Sequence, residues 1–520
     1  MKLTVHAAIC TLSGPEVDLR AIHSYFSFKD KAAENQIHRF KKSVVYKERA
    51  LYSEHGELPD SYLLWKTGHL KALQDAILVH ACKLDGDLKI PTGLLPSLFE
   101  LAKERGFKID ITDKRDFDVD RRRLSGEKPP TLRVPQVKAL AILTDPARAP
   151  AFKGLGLIRL ATGVGKTALA QELIRHYGCR SIFLVPSLPI LKQTVKRFES
   201  AYGPKNVKAY GGGKKTIGYI TVATYQSVYK ADPADFDEVQ LAIADECHHV
   251  SADTFYDVLQ EKLKNAVHRY GLTAFEERAD NSTVLIEAAV GPVVYQYDAP
   301  EAIADGYLAK PTFVIYDVWE TKGEWTKYKI NPKNNKREAV STEKSIRYNR
   351  EDDMIAYRNW VLGNDILNDH VAGIVQAMVD DGKSILILVD EKEHGDRLMK
   401  LIPNAGYCIG GGVDNEQHQK DFNSRKLKVL IGTSTLGEGA DTVPVDVLIC
   451  LQGGASKSKT LQAIGRALRN DPDPDTGVPR KPTALVIDFS FPLCDILKRH
   501  AEKREKVMEP MGDVYRDRIP

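Results

Sequence analysis

"GLIRLATGVGKTALAQELIRHYG", residues 156–178, reads as a strand, a glycine-bearing turn and a helix. Leu157 to Leu160 supply the apolar run, and the Ala/Leu/Glu-rich segment from Lys166 onward is good helix-forming sequence. Gly163 and Gly165 let backbone N–H groups turn toward phosphate oxygens, and the helix N-terminus adds the positive end of its dipole. Lys166 would then reach the β- and γ-phosphates of a nucleotide, with Thr162 in the turn and Thr167 as a ligand for Mg²⁺. The strict pattern G-x-x-x-x-G-K-[ST] has glycine where this chain has Leu160. An ordinary strand-turn-helix would look similar, so the reading needs a second element of the same chemistry.

"VQLAIADECHHV", residues 239–250, supplies one. The run 239–244 is short, apolar and suited to a strand buried on both faces of a parallel sheet, and it ends on Asp245 and Glu246. The first carboxylate can hold Mg²⁺ and the second can orient and polarise a water. Zinc is disfavoured although Cys247, His248 and His249 follow, because adjacent residues point in different directions and cannot converge on one ion. The seven cysteines are scattered without a close pair, so the chain reads as a reduced, intracellular protein without a disulfide framework.

A chain of 520 residues predicts two to four domains. At 43% hydrophobic and 28% charged its composition is that of a globular protein, and a net charge of +4 permits nucleic acid without demanding it. No apolar run reaches membrane-spanning length, so no membrane partner is expected. "MKLTVHAAICTL" alternates like a strand and is interrupted by His6, which argues against a signal peptide.

Apolar runs alternate with helical patterns from about 130 to 310 and again from about 365 to 490, with strands expected at 181–186, 218–224, 384–390, 428–433, 445–450 and 483–489. This predicts an α/β protein with two parallel-sheet domains, here bounded at 126–312 and 365–495, after a mixed α+β domain at 1–125 that ends near Arg121 to Arg123. Residues 313–364 are expected as an inter-domain insertion and 496–520 as a C-terminal helix and tail. Within the insertion, 319–350 carries nine Lys/Arg against four acidic residues with Trp325, Tyr328 and Tyr348 interspersed, which fits either a solvated insertion or a nucleic-acid-facing surface.

"LQAIGRALRN", 461–470, places Arg466 and Arg469 one helical turn apart, where two arginines can stabilise charge developing on a transferring phosphate; their bland reading is a solvated surface pair. "GTSTLGEGADTVPVD", 432–446, is a Gly-rich strand-to-loop segment with Asp441.

Taken in order, these stretches resemble the superfamily 2 helicases, whose two motor domains are RecA-like. "LRVPQ" resembles the adenine-reading motif, which implies Arg133 and Gln136 at the base. "LATGVGKT" and "DECH" resemble motifs I and II, "LVPSLPILKQ" (184–193) motif Ia and "VATYQSV" (222–228) the strand-contacting motif after it. "GEGAD" and "QAIGRALR" resemble motifs V and VI. The resemblance implies that Lys166, Asp245, Glu246, Arg466 and Arg469 are catalytic, and that Thr162, Gly163, Gly165, Thr167, Gly439 and Asp441 contact ATP. It implies coupling through His248, Thr273 and Gln462, and nucleic-acid contacts at Pro186, Thr224, Thr433 and Ser434. "GLTAFEERAD" (271–280) departs from the family by keeping Thr273 and Ala274 but then reading Phe275 and Glu276.

Within the superfamily, "SYFSFKD" (24–30), "IPTGLLPSLFELAKERGFKIDITD" (90–113), "YGGGKK" (210–215) and "GPVVYQYDAPEAIADGYLAKP" (291–311) resemble the phage recombination helicases typified by UvsW, related to XPB-type DNA helicases. That implies ATP- and Mg²⁺-dependent translocation on DNA, 3′ to 5′ unwinding and remodelling of forks and four-way junctions in recombination, repair or replication. An RNA helicase, an ATP-gated clamp that does not unwind, and a restriction-enzyme motor are the competing expectations.

Overall fold

The computed structural model describes residues 1–29, 78–118, 122, 130–149, 151–247, 252–274, 283–321, 326–330, 337–342, 353–409, 412, 414–433, 445–470 and 481–519. By contact density the chain divides into two compact units, Met1–Leu160 with Gly165–Gln296, and Ala161–Val164 with Tyr297–Pro520.

The first unit opens with a mixed five-stranded sheet. Its strands are β1 (Lys2–Val5), β2 (Ile9–Ser13), β5 (Lys83–Asp85), β6 (Asp87–Pro91) and β7 (Asp110–Asp113), ordered β5-β6-β2-β1-β7; β3 (Ser27–Lys29) and β4 (Leu78–His80) form a separate antiparallel ribbon. β1 pairs antiparallel with β2 and parallel with β7. The helices Glu16–Tyr25 and Leu95–Arg105 bury Leu19, Ile22, Leu98 and Leu101 on this sheet, and the second helix stops at Gly106 in the left-handed conformation.

The same unit continues into an eight-stranded sheet of β8 (Leu155–Leu160), β9 (Ser181–Val185), β10 (Val207–Gly211), β11 (Lys214–Lys215), β12 (Ile220–Thr224), β13 (Leu241–Asp245), β14 (His268–Thr273) and β15 (Val293–Tyr297), ordered β11-β10-β12-β9-β13-β14-β8-β15. Pairings from β10 through β12, β9, β13 and β14 to β8 are parallel. Every residue of β9, β12, β13 and β14 is buried, as expected of strands covered on both faces.

The mixed sheet is docked on this domain rather than tethered to it. The helix Thr283–Val290 turns Leu285 and Ala288 into the N-terminal core and Ile286, Ala289 and Val290 into the core of the large sheet. Gly93 sits so close that a Cβ there would lie 2.1 Å from the Glu287 carbonyl oxygen. Arg269 of β14, fully buried, donates to the Ala7 carbonyl oxygen, and burial lowers its pKa to about 10.

The second unit holds an all-parallel seven-stranded sheet. Its strands are β16 (Lys310–Val318), β19 (Ile385–Val389), β20 (Gly406–Cys408), β21 (Val429–Gly432), β22 (Val447–Leu451), β23 (Thr483–Ser490) and β24 (Asp513–Ile519), ordered β20-β21-β19-β22-β23-β16-β24. β17 (Thr326–Ile330) and β18 (Arg337–Thr342) form an antiparallel ribbon within the basic segment 319–350. Two parallel α/β domains in tandem after a small mixed domain is the architecture expected from the sequence. Residues 313–318, expected in the insertion, lie instead inside β16, whose Phe313, Ile315 and Val318 are buried. The expected tail ends in β24, an edge strand with only Ile519 buried and therefore no apolar run to announce it. The helix Asp495–Met508 is fastened by buried Arg504, whose Nε and Nη2 reach the Asp488 carboxylate at 2.7 and 3.1 Å. Among the described residues no helix is long and apolar enough to cross a membrane, and the seven cysteines are buried thiols.

A buried polar network stiffens the second sheet. His394 Nδ1 lies 2.8 Å from the Tyr357 hydroxyl and its Nε2 2.8 Å from Asn368 Oδ1, while the Tyr357 oxygen accepts the Asp390 N–H at 3.1 Å. Burial holds the His394 pKa down at about 3. Between that value and the ordinary histidine value near 6.5 the unfolded chain binds the extra proton, so acidification favours unfolding. Wild type is therefore expected to lose about 2 kcal/mol of stability between pH 7 and pH 5 that a His394→Gln variant does not lose. Denaturant melts at both pH values check this; equal losses would show that the imidazole is not held neutral.

Candidate active site

β8 delivers the chain to the glycine turn with Leu160 fully buried. Leu160 is thus the last core residue of the strand, and the turn starts one residue later. Gly163 and Gly165 adopt φ of 91° and 98°, where a side chain is strained. Gly165 precedes the helix Lys166–Tyr177, and a Cβ on it would lie 2.4 Å from Gln136 Nε2. Gln136, 2% exposed, uses both ends of its amide on backbone: Nε2 donates to the Gly165 carbonyl at 2.8 Å and Oε1 accepts the Arg133 N–H at 2.6 Å. The glutamine that the resemblance implied at the base therefore also braces the turn, a role that spacing alone does not reveal.

β13 ends on Asp245, and the backbone then turns sharply, with Glu246 at φ 46°. A non-glycine residue there costs of order 1–3 kcal/mol and is held by its surroundings. The turn sends the Glu246 carboxylate to Lys166, Oε1 to Nζ 2.9 Å. Asp245 accepts the Glu246 N–H at 3.1 Å, and its pKa is pushed up to about 7, first by burial and then by the neighbouring Glu246 charge, with Lys166 opposing. The buried Tyr225 hydroxyl donates to the Asp245 carbonyl oxygen at 2.8 Å. Cys247 belongs to the hydrophobic core. Thr273 is buried at the end of β14, two strands from β9, where Pro186 follows the strand end.

Thr224 closes β12 and caps the short helix Tyr225–Tyr229: its Oγ1 accepts the Ser227 N–H at 3.3 Å and lies 2.7 Å from Ser227 Oγ. Parallel pairing thus brings the glycine turn, Lys166, Thr167, Asp245, Glu246, Thr224 and Thr273 to one edge of the sheet, the carboxyl edge where α/β sheets bind ligands.

In the second unit, the helix Lys457–Ala467 is capped by Ser456, carries Gln462, and buries Arg466 in its last turn. It ends before Arg469, which pairs in an isolated bridge with Leu308, so the two arginines do not share one helical face as expected. Buried Lys481 donates to the carbonyls of Val445 and Ala467 and so fixes the end of this helix; nothing in a polar stretch marks such a lysine beforehand. Thr433 follows β21 and its N–H reaches the Cys408 carbonyl at 3.3 Å. His248, Ser434, Gly439 and Asp441 lie outside the described residues, as do Phe275 and Glu276.

Residues 130–278 match the family model for the type III restriction enzyme res subunit, and 367–471 the model for the helicase conserved C-terminal domain. The chain is 25% identical over 334 residues to the DNA 3′-5′ translocase XPB2 of Sulfurisphaera tokodaii, covering 60% of this chain and 74% of that one. It is 21% identical over 343 residues to the ATP-dependent DNA helicase uvsW of Enterobacteria phage T4, covering 61% and 64%. The chain belongs to the superfamily 2 helicases. Within them it resembles the XPB and UvsW type. The fold of this helicase is shared with a putative HsdR subunit fragment of a type I restriction enzyme from Vibrio vulnificus, at TM-score 0.52 and 20% identity over 81% of this chain and 73% of that one.

Replacing Gly165 by alanine should strain the turn and displace the Gln136 amide together. Affinity for a non-hydrolysable ATP analogue is expected to fall at least about tenfold, read by titration calorimetry. Unchanged affinity would mean that nucleotide does not need this turn geometry.

Proposed function

We propose that the protein is an ATP-driven DNA helicase or translocase, moving 3′ to 5′ and remodelling branched DNA such as forks and four-way junctions. The observation that carries the reading is the Glu246 carboxylate held on Lys166 at the mouth of the glycine turn, beside a desolvated Asp245. The relatives support DNA as the substrate: one is named a DNA 3′-5′ translocase and another an ATP-dependent DNA helicase.

Lys166 is the phosphate-binding cation, and it leaves Glu246 for the nucleotide when ATP arrives. Glu246 then becomes free to accept a proton from an attacking water. Arg133 and Gln136 hold the base side and Thr162, Gly163 and Gly165 the phosphates, and Gly439 and Asp441 are further nucleotide contacts of this reading. Arg466 and Arg469 stabilise charge on the transferring phosphoryl group. A divalent cation fits Thr167 and Asp245: among the described residues the buried Asp245 carboxylate has a single hydrogen bond, from the Glu246 N–H, and a hard cation would favour its charged form. When bound, Mg²⁺ would neutralise phosphate charge. His248, Thr273 and Gln462 are the coupling residues of this reading, and Pro186, Thr224, Thr433 and Ser434 grip the strand mainly through its phosphates. Such contacts carry little sequence information, so binding should follow DNA shape and weaken with salt.

The deciding experiment is ATP hydrolysis by wild type and Lys166→Ala with no nucleic acid, single-stranded DNA, a four-way DNA junction and a matched RNA. Greatest stimulation by the junction, lost in the variant while DNA binding persists, supports the reading; turnover retained by Lys166→Ala sinks it. Stimulation by RNA alone would move the protein beside its mimivirus relative, named a putative ATP-dependent RNA helicase. Arg469→Ala is expected to reduce kcat by about 10³ with ATP affinity changed only about twofold. Equal losses in both would argue against a transition-state role.

A further inference from the structure

β12 and β13 are not neighbours; β9 lies between them. Tyr225, the first residue after β12, crosses the end of β9 and places its hydroxyl 2.8 Å from the Asp245 carbonyl oxygen. The ring is 1% exposed and packs against Phe255, centroids 5.9 Å apart, so it moves as part of a fixed wall. On one side it is joined by a single peptide bond to Thr224, whose hydroxyl is held by Ser227. On the other it holds the peptide that carries Glu246 in its left-handed conformation and so aims the Glu246 carboxylate at Lys166.

We propose that Tyr225 is the residue through which a nucleic-acid strand seated on the Thr224 segment acts on the Asp245–Glu246 turn. The proposal rests on the reading of Thr224 as a strand contact and of Glu246 as the water-activating carboxylate. The physical step is short. A strand phosphate that shifts Thr224 shifts the first turn of the helix it caps, and the hydroxyl carries that shift to the Asp245 carbonyl. Rotation of this peptide re-aims Glu246, because a residue in a strained conformation keeps it only while its neighbours enforce it. Tyr225 is thus a positioning residue and touches neither nucleotide nor strand.

Tyr225→Phe deletes the hydroxyl and keeps the ring packing, so the fold is expected to survive with a melting temperature within a few degrees of wild type. Steady-state ATP hydrolysis is measured without nucleic acid and with saturating single-stranded DNA, alongside DNA binding by anisotropy. The expected result is an unstimulated kcat and a KM for ATP within about twofold of wild type, with unchanged DNA affinity, while the stimulated kcat falls at least about fivefold. An unchanged ratio of stimulated to unstimulated kcat overturns the proposal, whether or not both rates fall together. Loss of DNA affinity overturns it as well, since the hydroxyl would then act on binding. A wild type that hydrolyses ATP without stimulation by DNA or RNA overturns both this proposal and the reading of Thr224, which separates the two failures.

Discussion

Burial of the parallel strands on both faces is the constraint from which the rest of the first domain follows. A strand such as β13 has no polar side chain until its last residue, because helices cover it above and below and leave no water for one. On β13 polar chemistry is therefore confined to the end of the strand. There Asp245 meets the opposite problem: its carboxyl is nearly desolvated and next to a second carboxylate, so its charged form is disfavoured. Lys166 relieves part of that cost by pairing with Glu246, and the unrelieved part is what keeps the Asp245 pKa raised.

The strain at this edge is distributed over a few backbone positions. Gly163 and Gly165 take conformations open to glycine, but Glu246 takes one that its side chain resists. It persists because its carboxylate gains Lys166 and its peptide is gripped by Tyr225. The second domain solves a related problem differently. Two of its deep charges are paired or laid on carbonyls, Arg504 on Asp488 and Lys481 on the end of the helix bearing Arg466. A lysine on the last carbonyls of a helix also meets the negative end of the helix dipole.

The N-terminal domain adds an apolar constraint. The helix Thr283–Val290 contributes to two cores at once, so its position answers to both. It begins ten residues after Thr273, the last residue of β14, and Gln260 from the segment that follows β13 donates to its Ala288 carbonyl at 2.8 Å. The mixed sheet is in this sense part of the scaffold of the domain that carries Lys166, Asp245 and Glu246.

The strands were legible because a run such as "SILILVD" or "VQLAIA" has one stable home, between two layers of helices. The glycine turn and the strand end at Asp245 were legible because glycines between an apolar run and helix-forming residues mark a turn, and an apolar run that stops at two carboxylates marks where a buried strand leaves the sheet. Strand β24, by contrast, joins the sheet through backbone pairing with one buried residue, and such an edge leaves no periodic mark. The end of the motif VI helix before Arg469 is set by the bridge to Leu308, more than a hundred residues away in the chain. The same holds for Gln136 on Gly165, Tyr225 on Asp245 and Lys481 on Ala467. By itself the sequence determined which elements form and which side chains have the right chemistry; only the tertiary structure decided which of them meet. Composition and spacing report local preferences, whereas a hydrogen bond between distant residues exists only once the sheet order has brought its donor and acceptor together.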